Sequence, residues 1–442
     1  MNIDSLLQPF QKFGVNLGLS RIFKLLAKLN NPHEQVPVIH VAGTNGKGSV
    51  CAYLSSVLTQ AGYRTGRYTS PHLIDWTERI CVNEQAIAPE TLSQLIQQVQ
   101  AAISKNEESP TQFEVITAAA WLYFAQEKVD IAVVEVGLGG RLDATNVCEH
   151  PLVTVVTSIS KEHWQQLGPT ITDIAREKAG IIKAGCPVVM GQLPEDAKKV
   201  VISRSIELKS PLIIPQPATE INPGWGEYRW GDGEMGRWGD GEKTEYFKST
   251  IQYQLPLKGQ IQLHNSALAL ATLDVLKKQS WDIPEQAIIQ GLEKTKWPGR
   301  MQWFNWKNKR NNQDYQLLID GAHNPASAEV LRKYVDSLNR ESITWIMGML
   351  ANKDHSDIFR ELLKTGDKLY LVPVPDSNYA NLEDLSNLAL EMCPKLDICR
   401  TFPDVFNALD TAFTSEKIKE NKENLVVLCG SLYLIGYFLG SS

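Results

Sequence analysis

The chain has 442 residues, 43% of them hydrophobic and 21% charged, a balance that excludes a disordered protein and implies two or three folded domains. Its formal charge is −6 with the two signs interspersed, which excludes the basic stripe expected of a protein that wraps nucleic acid. Small anions remain possible ligands, because a loop of backbone N–H groups holds them without net positive charge.

The N-terminal stretch MNIDSLLQPFQKF has no basic region followed by an apolar run, so no secretory signal is expected. No run approaches 18 apolar residues, so no membrane span is expected either. Seven cysteines, at 51, 81, 148, 186, 393, 399 and 429, show neither C-x-x-C pairing nor zinc spacing and read as reduced thiols. Together these features imply a cytoplasmic protein with no membrane partner.

Residues 36–42 (VPVIHVA) read as a strand that ends at Gly43, and a helical pattern follows from Ser49 to Ala61. Strand patterns recur at 130–136, 152–157 and 187–190, with helical patterns at 89–104, 112–128 and 170–179. Such alternation predicts an α/β domain with a mostly parallel sheet and helices on both faces. Between 220 and 245 the pattern lapses into a Gly- and Trp-rich stretch with a direct repeat, RWGDGEMG then RWGDGEKT. It reads as a surface loop or hairpin insertion, with a Trp-bearing flap as the alternative.

Helical patterns at 264–279 and 284–294 close the first domain, and Pro298-Gly299 marks a junction. The α/β rhythm then restarts with strand patterns at 315–321, 343–348, 368–374 and 424–430. The expected division is residues 1–297, a P-loop ATPase domain, and 298–442, a smaller Rossmann-like α/β domain.

After the first strand comes Gly43-Thr44-Asn45-Gly46-Lys47-Gly48-Ser49. Glycines let the backbone turn its N–H groups to one point, and the following helix N-terminus adds positive potential. Lys47 can then reach the β- and γ-phosphates and Ser49 can face magnesium, so Asn45, Gly46, Lys47, Gly48 and Ser49 are candidate nucleotide contacts. The spacing departs from G-x-x-x-x-G-K-[ST], since position 41 is Val and an extra glycine separates Lys47 from Ser49.

The string IHVAGTNGKGSV resembles the folylpolyglutamate synthase/dihydrofolate synthase family of the Mur-ligase superfamily. The likeness continues through FGVNLGLSRI, YTSPHL, EVGLGGRLDATN, the stretch 163–181, WPGR, DGAHNP and GSLYLIG. It covers nearly the whole chain outside the 220–245 insertion.

Glu135 ends an apolar strand pattern, where a carboxylate is well placed for a metal, or else caps the strand at the surface. The resemblance makes Glu135 a magnesium ligand with Ser70 and His163, although Glu162-His163 stands where the family usually has Asp-His. Thr111-Gln112-Phe113-Glu114 reads as a capping box. In the resemblance Gln112, Phe113 and Glu114 line the pterin site, Leu142, Asp143 and Ala144 contact the pteroate, and Ser431 also contacts substrate. Asn265, Arg300, Asp320 and His323 match nucleotide contacts.

Lys178 stands on the apolar stripe formed by Ile171, Ile174 and Ala175, where burial favours a neutral amine unless the ammonium reaches water. The resemblance makes it carbamylated and a ligand of a second magnesium, and makes Lys47, Lys178 and His163 catalytic. It further implies a monomer that gathers ATP, L-glutamate and a folate or dihydropteroate in a cleft between domains. ATP would convert a carboxylate to an acyl phosphate, which the glutamate amine attacks. Another Mur-superfamily amide ligase and a non-catalytic nucleotide-binding regulator are the alternatives.

Overall fold

The computed structural model describes residues 2–13, 16–104, 106–230, 234–236, 249–375, 378–414 and 424–442. The chain divides into two compact units, Met1–Pro256 with Gln262–Lys296, and Leu257–Ile261 with Trp297–Ser442.

The first unit carries β1 (Val38–Ala42), β2 (Thr65–Tyr68), β3 (Ile80–Val82), β4 (Gln85–Ala86), β5 (Ile131–Glu135), β6 (Val153–Val156), β7 (Val188–Met190) and β8 (Leu212–Ile214). It also carries β9 (Thr219–Asn222), β10 (Trp225–Arg229), β11 (Glu234–Gly236) and β12 (Thr250–Gln254). The main sheet runs β11-β8-β7-β6-β1-β5-β2-β3-β4. Its centre, β8-β7-β6-β1-β5-β2, is parallel, and only the edges pair antiparallel. Every residue of β1, β5 and β6 is buried, which is why these strands read as mostly apolar runs, broken only by His40, Thr154 and the terminal Glu135, rather than as alternating ones.

Helices Lys47–Gln60, Pro89–Ala101, Gln112–Gln126 and Ile261–Lys278 bury aliphatic and aromatic side chains in the same unit. Gln112–Gln126 starts where the Thr111 hydroxyl accepts from Glu114 N–H while the Glu114 carboxylate accepts from Thr111 N–H. This reciprocal pair satisfies two first-turn donors.

Within the 220–245 stretch β9 and β10 pair antiparallel, in keeping with the hairpin reading, and β12 adds a third strand to make a separate sheet, β12-β10-β9. Strand β10 is its centre, and Tyr228, Ile251 and Tyr253 are buried. Strand β12 escapes notice because it is short and only Ile251 and Tyr253 of its five residues are buried. The second copy of the repeat, residues 237–244, lies outside the described residues.

The second unit is built on β13 (Gln302–Lys307), β14 (Asp314–Ile319), β15 (Ser342–Met347), β16 (Lys368–Leu371), β17 (Ile398–Thr401) and β18 (Asn424–Cys429). Their order is β13-β14-β18-β15-β16-β17, parallel except for β13. Trp345, Phe359, Leu369 and Val427 centre its core. Among the described residues no helix is long and apolar enough to cross a membrane.

Candidate active site

Chain order scatters the candidate residues, but the strand order β6-β1-β5-β2 gathers the carboxyl ends that carry four of the motifs in the first unit. Ala42 is level with Val156, Val41 with Glu135, and Tyr68 with Val134. The Gly43–Ser49 loop leaves β1, Glu135 ends β5, Ser70 follows β2, and the segment running to His163 leaves β6. Ligands of open α/β sheets bind at this edge, where the strand order changes direction.

The loop passes directly into the helix Lys47–Gln60, whose N-cap is Gly46 at φ 86. That left-handed conformation disfavours any side chain. A Cβ at Gly46 would also lie 2.5 Å from Asn265 Oδ1, so Asn265 is packed against the loop. The N–H groups of the first helical turn have no preceding turn to bond and make an anion site.

Two lysines converge on one carbonyl. Lys47 Nζ donates to Gly43 O at 3.0 Å and to Thr44 O at 3.0 Å, and Lys178 Nζ donates to Gly43 O at 2.7 Å. Lys178 comes from the helix Ile171–Ala179 and is 5% exposed, so its ammonium does not reach bulk water. Burial first, and the Lys47 charge second, draw its pKa down to about 7. Lys47 Nζ also stands 4.0 Å from Glu135 Oε1, and Glu135 Oε2 accepts from Ser70 N–H at 3.2 Å.

Glu135 is 5% exposed, which removes the surface-cap alternative. Among the described residues no group of three or more His, Cys, Asp or Glu side chains gathers as a metal cluster. One buried carboxylate suits magnesium, which binds through few carboxylates and completes its shell with phosphate and water. His163 is the left-handed N-cap, φ 50, of the short helix Trp164–Leu167.

Two family descriptions match the chain: the Mur ligase middle domain over residues 41–273, and the dihydrofolate synthetase C-terminal domain over 302–441. The dihydrofolate synthase/folylpolyglutamate synthase of Bacillus subtilis is 34% identical, over 96% of this chain and 94% of its own. This chain belongs to the folylpolyglutamate synthase/dihydrofolate synthase family.

Among solved structures, Mycobacterium tuberculosis folylpolyglutamate synthase complexed with ADP and AMPPCP superposes with a TM-score of 0.82 at 28% identity, covering 99% of this chain and 98% of that one. A bifunctional folylpolyglutamate synthase/dihydrofolate synthase with Mn, AMPPNP and L-glutamate bound gives 0.80 at 28% identity, covering 100% and 98%.

The remaining first-unit candidates of this synthase divide by what their side chains already do. Gln112 Nε2 is buried and finds no hydrogen-bond acceptor among the described residues, so it is a donor suited to a ligand. Phe113 lies so close to Gly137 that a Cβ there would sit 2.4 Å from the ring. Glu114 is instead held by the fold: besides the capping box, it accepts from buried Arg21 Nε at 3.2 and 3.1 Å.

Asp143 is also engaged. It accepts from Leu138 N–H at 2.8 Å and from Thr145 N–H at 3.0 Å, and burial raises its pKa despite these bonds. Leu142 O accepts from Gly18 N–H at 3.3 Å, while Ala144 is buried.

In the second unit, Asp320 accepts from Met301 N–H and Ala322 N–H, each at 2.8 Å, and burial raises its pKa. Arg300 is its charged neighbour. His323 Nδ1 is 2.7 Å from Gly321 O, and Ser431 caps the helix Leu432–Ser441 by accepting from Tyr433 N–H.

Three contributors carry no assignment from the sequence: Arg21, Thr157 and Ser158. Arg21 shares a helical stripe with Leu25 and was readable as a charge on an apolar face. Thr157 and Ser158, which bond the phosphate loop, carry no local signal, because their partner lies more than a hundred residues away in sequence.

Proposed function

We propose that the protein joins L-glutamate to dihydropteroate and to reduced folates at the expense of ATP. The observation that carries this reading is the meeting of Lys47, Lys178 and Glu135 around the phosphate loop. The assay of the purified protein with ATP, glutamate and either dihydropteroate or tetrahydrofolate tests it. Product is expected from both pterins; product from tetrahydrofolate alone would reduce the protein to a folate-only synthase.

Amide formation needs an activated carboxyl group, because a carboxylate is a poor acylating agent. In the proposed sequence a carboxylate oxygen of the pterin substrate attacks the γ-phosphorus, the bond to the bridging oxygen breaks, and ADP leaves. The glutamate amine then attacks the acyl carbon, loses a proton, and expels inorganic phosphate.

The Gly46–Ser49 backbone would hold the phosphates, and the Lys47 ammonium would exchange its carbonyl partners for phosphate oxygens. Asn265, Arg300, Asp320 and His323 are proposed nucleotide contacts. Gln112, Phe113, Leu142, Ala144 and Ser431 are proposed substrate contacts, with Glu114 and Asp143 bracing the loops that carry them. Magnesium, held by Glu135, Ser70 and His163, would neutralise charge on the transferring phosphoryl group.

Lys178 is the proposed site of carbamylation. Its neutral amine attacks carbon dioxide, forming an N–C bond and releasing a proton. The resulting carbamate replaces the repulsion between Lys178 and Lys47 with attraction and supplies oxygens for a second magnesium. Labelled bicarbonate should give a carbamate carbon resonance in the native protein that is missing in Lys178→Ala. An identical spectrum from both proteins would remove the modification.

A further inference from the structure

Within the phosphate loop, one peptide unit is gripped from outside. The Asn45 carbonyl accepts from Thr157 Oγ1 at 2.7 Å and from Ser158 Oγ at 3.0 Å, so two hydroxyls occupy it. The Ser158 hydroxyl in turn accepts from Asn45 N–H at 3.0 Å, and Ser158 O accepts from Thr44 N–H at 2.7 Å. One step further on, Ser160 N–H donates to Thr44 Oγ1 at 3.1 Å. The segment that leaves β6 therefore lies along the loop like a splint, and Thr44 and Thr157 are both 5% exposed.

In a trans peptide the C=O and the following N–H point in opposite directions. Holding Asn45 O against Thr157 and Ser158 therefore turns Gly46 N–H away from the β6 segment. Gly46 sits at φ 86 and lacks a side chain, so rotation of the Asn45–Gly46 peptide meets little steric resistance of its own. In the flipped orientation a carbonyl, with its partial negative charge, would replace the N–H donor next to the start of the helix. A single flip would thus exchange attraction for repulsion at an anion site.

We propose that Thr157 and Ser158 are positioning residues that lock the Asn45–Gly46 peptide with its N–H toward the nucleotide phosphates. This inference rests on the nucleotide reading of the Gly43–Ser49 loop and adds the device that keeps that loop competent. Neither side chain needs to touch the nucleotide; they act through the peptide. The same segment continues to His163, so the splint also ties the loop to the strand connection that carries that side chain.

The test is calorimetric titration of the full-length protein with ADP and with adenosine, comparing wild type, Ser158→Ala, Thr157→Val/Ser158→Ala and Thr157→Ser. The double variant should bind ADP about tenfold to a hundredfold more weakly, the scale of one hydrogen bond to a charged group. Adenosine affinity should be unchanged, because it carries no phosphate. Thr157→Ser keeps the hydroxyl and should keep ADP affinity near that of the wild type.

In the wild type, ADP should move the Gly46 amide proton resonance downfield, and this shift should shrink in Ser158→Ala and in the double variant. Should the double variant not fold, Ser158→Ala alone removes both Ser158 hydroxyl bonds and carries the same expectation. Equal ADP affinity in wild type, Ser158→Ala and the double variant, or parallel losses for ADP and adenosine, would overturn the lock. Failure of the wild type itself to bind ADP would instead overturn the nucleotide reading.

Discussion

At the residue scale, Lys178 ties burial to chemistry most directly. Its folded pKa lies near 7, while an unfolded lysine titrates near 10.4. Between those values the unfolded chain binds more protons, so raising the pH favours the folded state, by at most about 1.4 kcal/mol per pH unit. In carbon-dioxide-free buffer, urea denaturation should show wild type gaining stability relative to Lys178→Met between about pH 7 and pH 10. A difference that stays flat over that range would mean the amine is charged in the fold.

Lys178→Ala should be nearly inactive and partly restored by acetate, which supplies two oxygens where the proposed carbamate would stand. Lys47→Ala and Glu135→Ala should each lower the ligation rate by about 100-fold or more, the scale of removing one preorganised charge-stabilising group. Unchanged far-ultraviolet circular dichroism would separate this from unfolding, and near-normal turnover in either variant would contradict the assignment.

Lys178 was readable because its helix places Ile174 and Ala175 on its own face. The capping-box bond of Glu114 was readable but its Arg21 partner was not, nor were the bonds of Asp143 and Asp320, whose partners include main-chain N–H groups set by the folded loops.

At the element scale, the strand–loop–helix unit around Lys47 was legible because β1 is a fully buried apolar run and the glycines follow it at once. Strand β2 (TGRY) and edge strand β17 (ICRT) were not, because neither carries an apolar run. The hairpin β9-β10 was among the readings of the 220–245 stretch, but its pairing with β12 was not legible. Replacing residues 225–243 with a Gly/Ser linker removes β10, the central strand, so it should destabilise the first unit.

Tyr253 gives the finer test of that sheet. It is fully buried, and its hydroxyl is 2.7 Å from Ser266 Oγ. Tyr253→Ala should therefore cost about 3 kcal/mol or more, from the lost ring and the cavity it leaves. A chemical denaturation midpoint equal to that of wild type would show the sheet to be peripheral to stability.

At the scale of the whole molecule, two α/β units and a chain-long likeness to folylpolyglutamate/dihydrofolate synthases were legible, because the motifs fall in collinear order from residue 13 to residue 436. The packing of those motifs was not, since the neighbours β6, β1 and β5 come from distant parts of the chain. The central claim is that this constellation activates a carboxylate by phosphorylation before glutamate attacks.

Oxygen transfer tests it most directly. A pterin substrate carrying heavy oxygen in its reacting carboxylate should pass one labelled oxygen to each inorganic phosphate released, in step with amide formation. Unlabelled phosphate accompanying full product formation would contradict an acyl-phosphate route and, with it, the proposed role of the site.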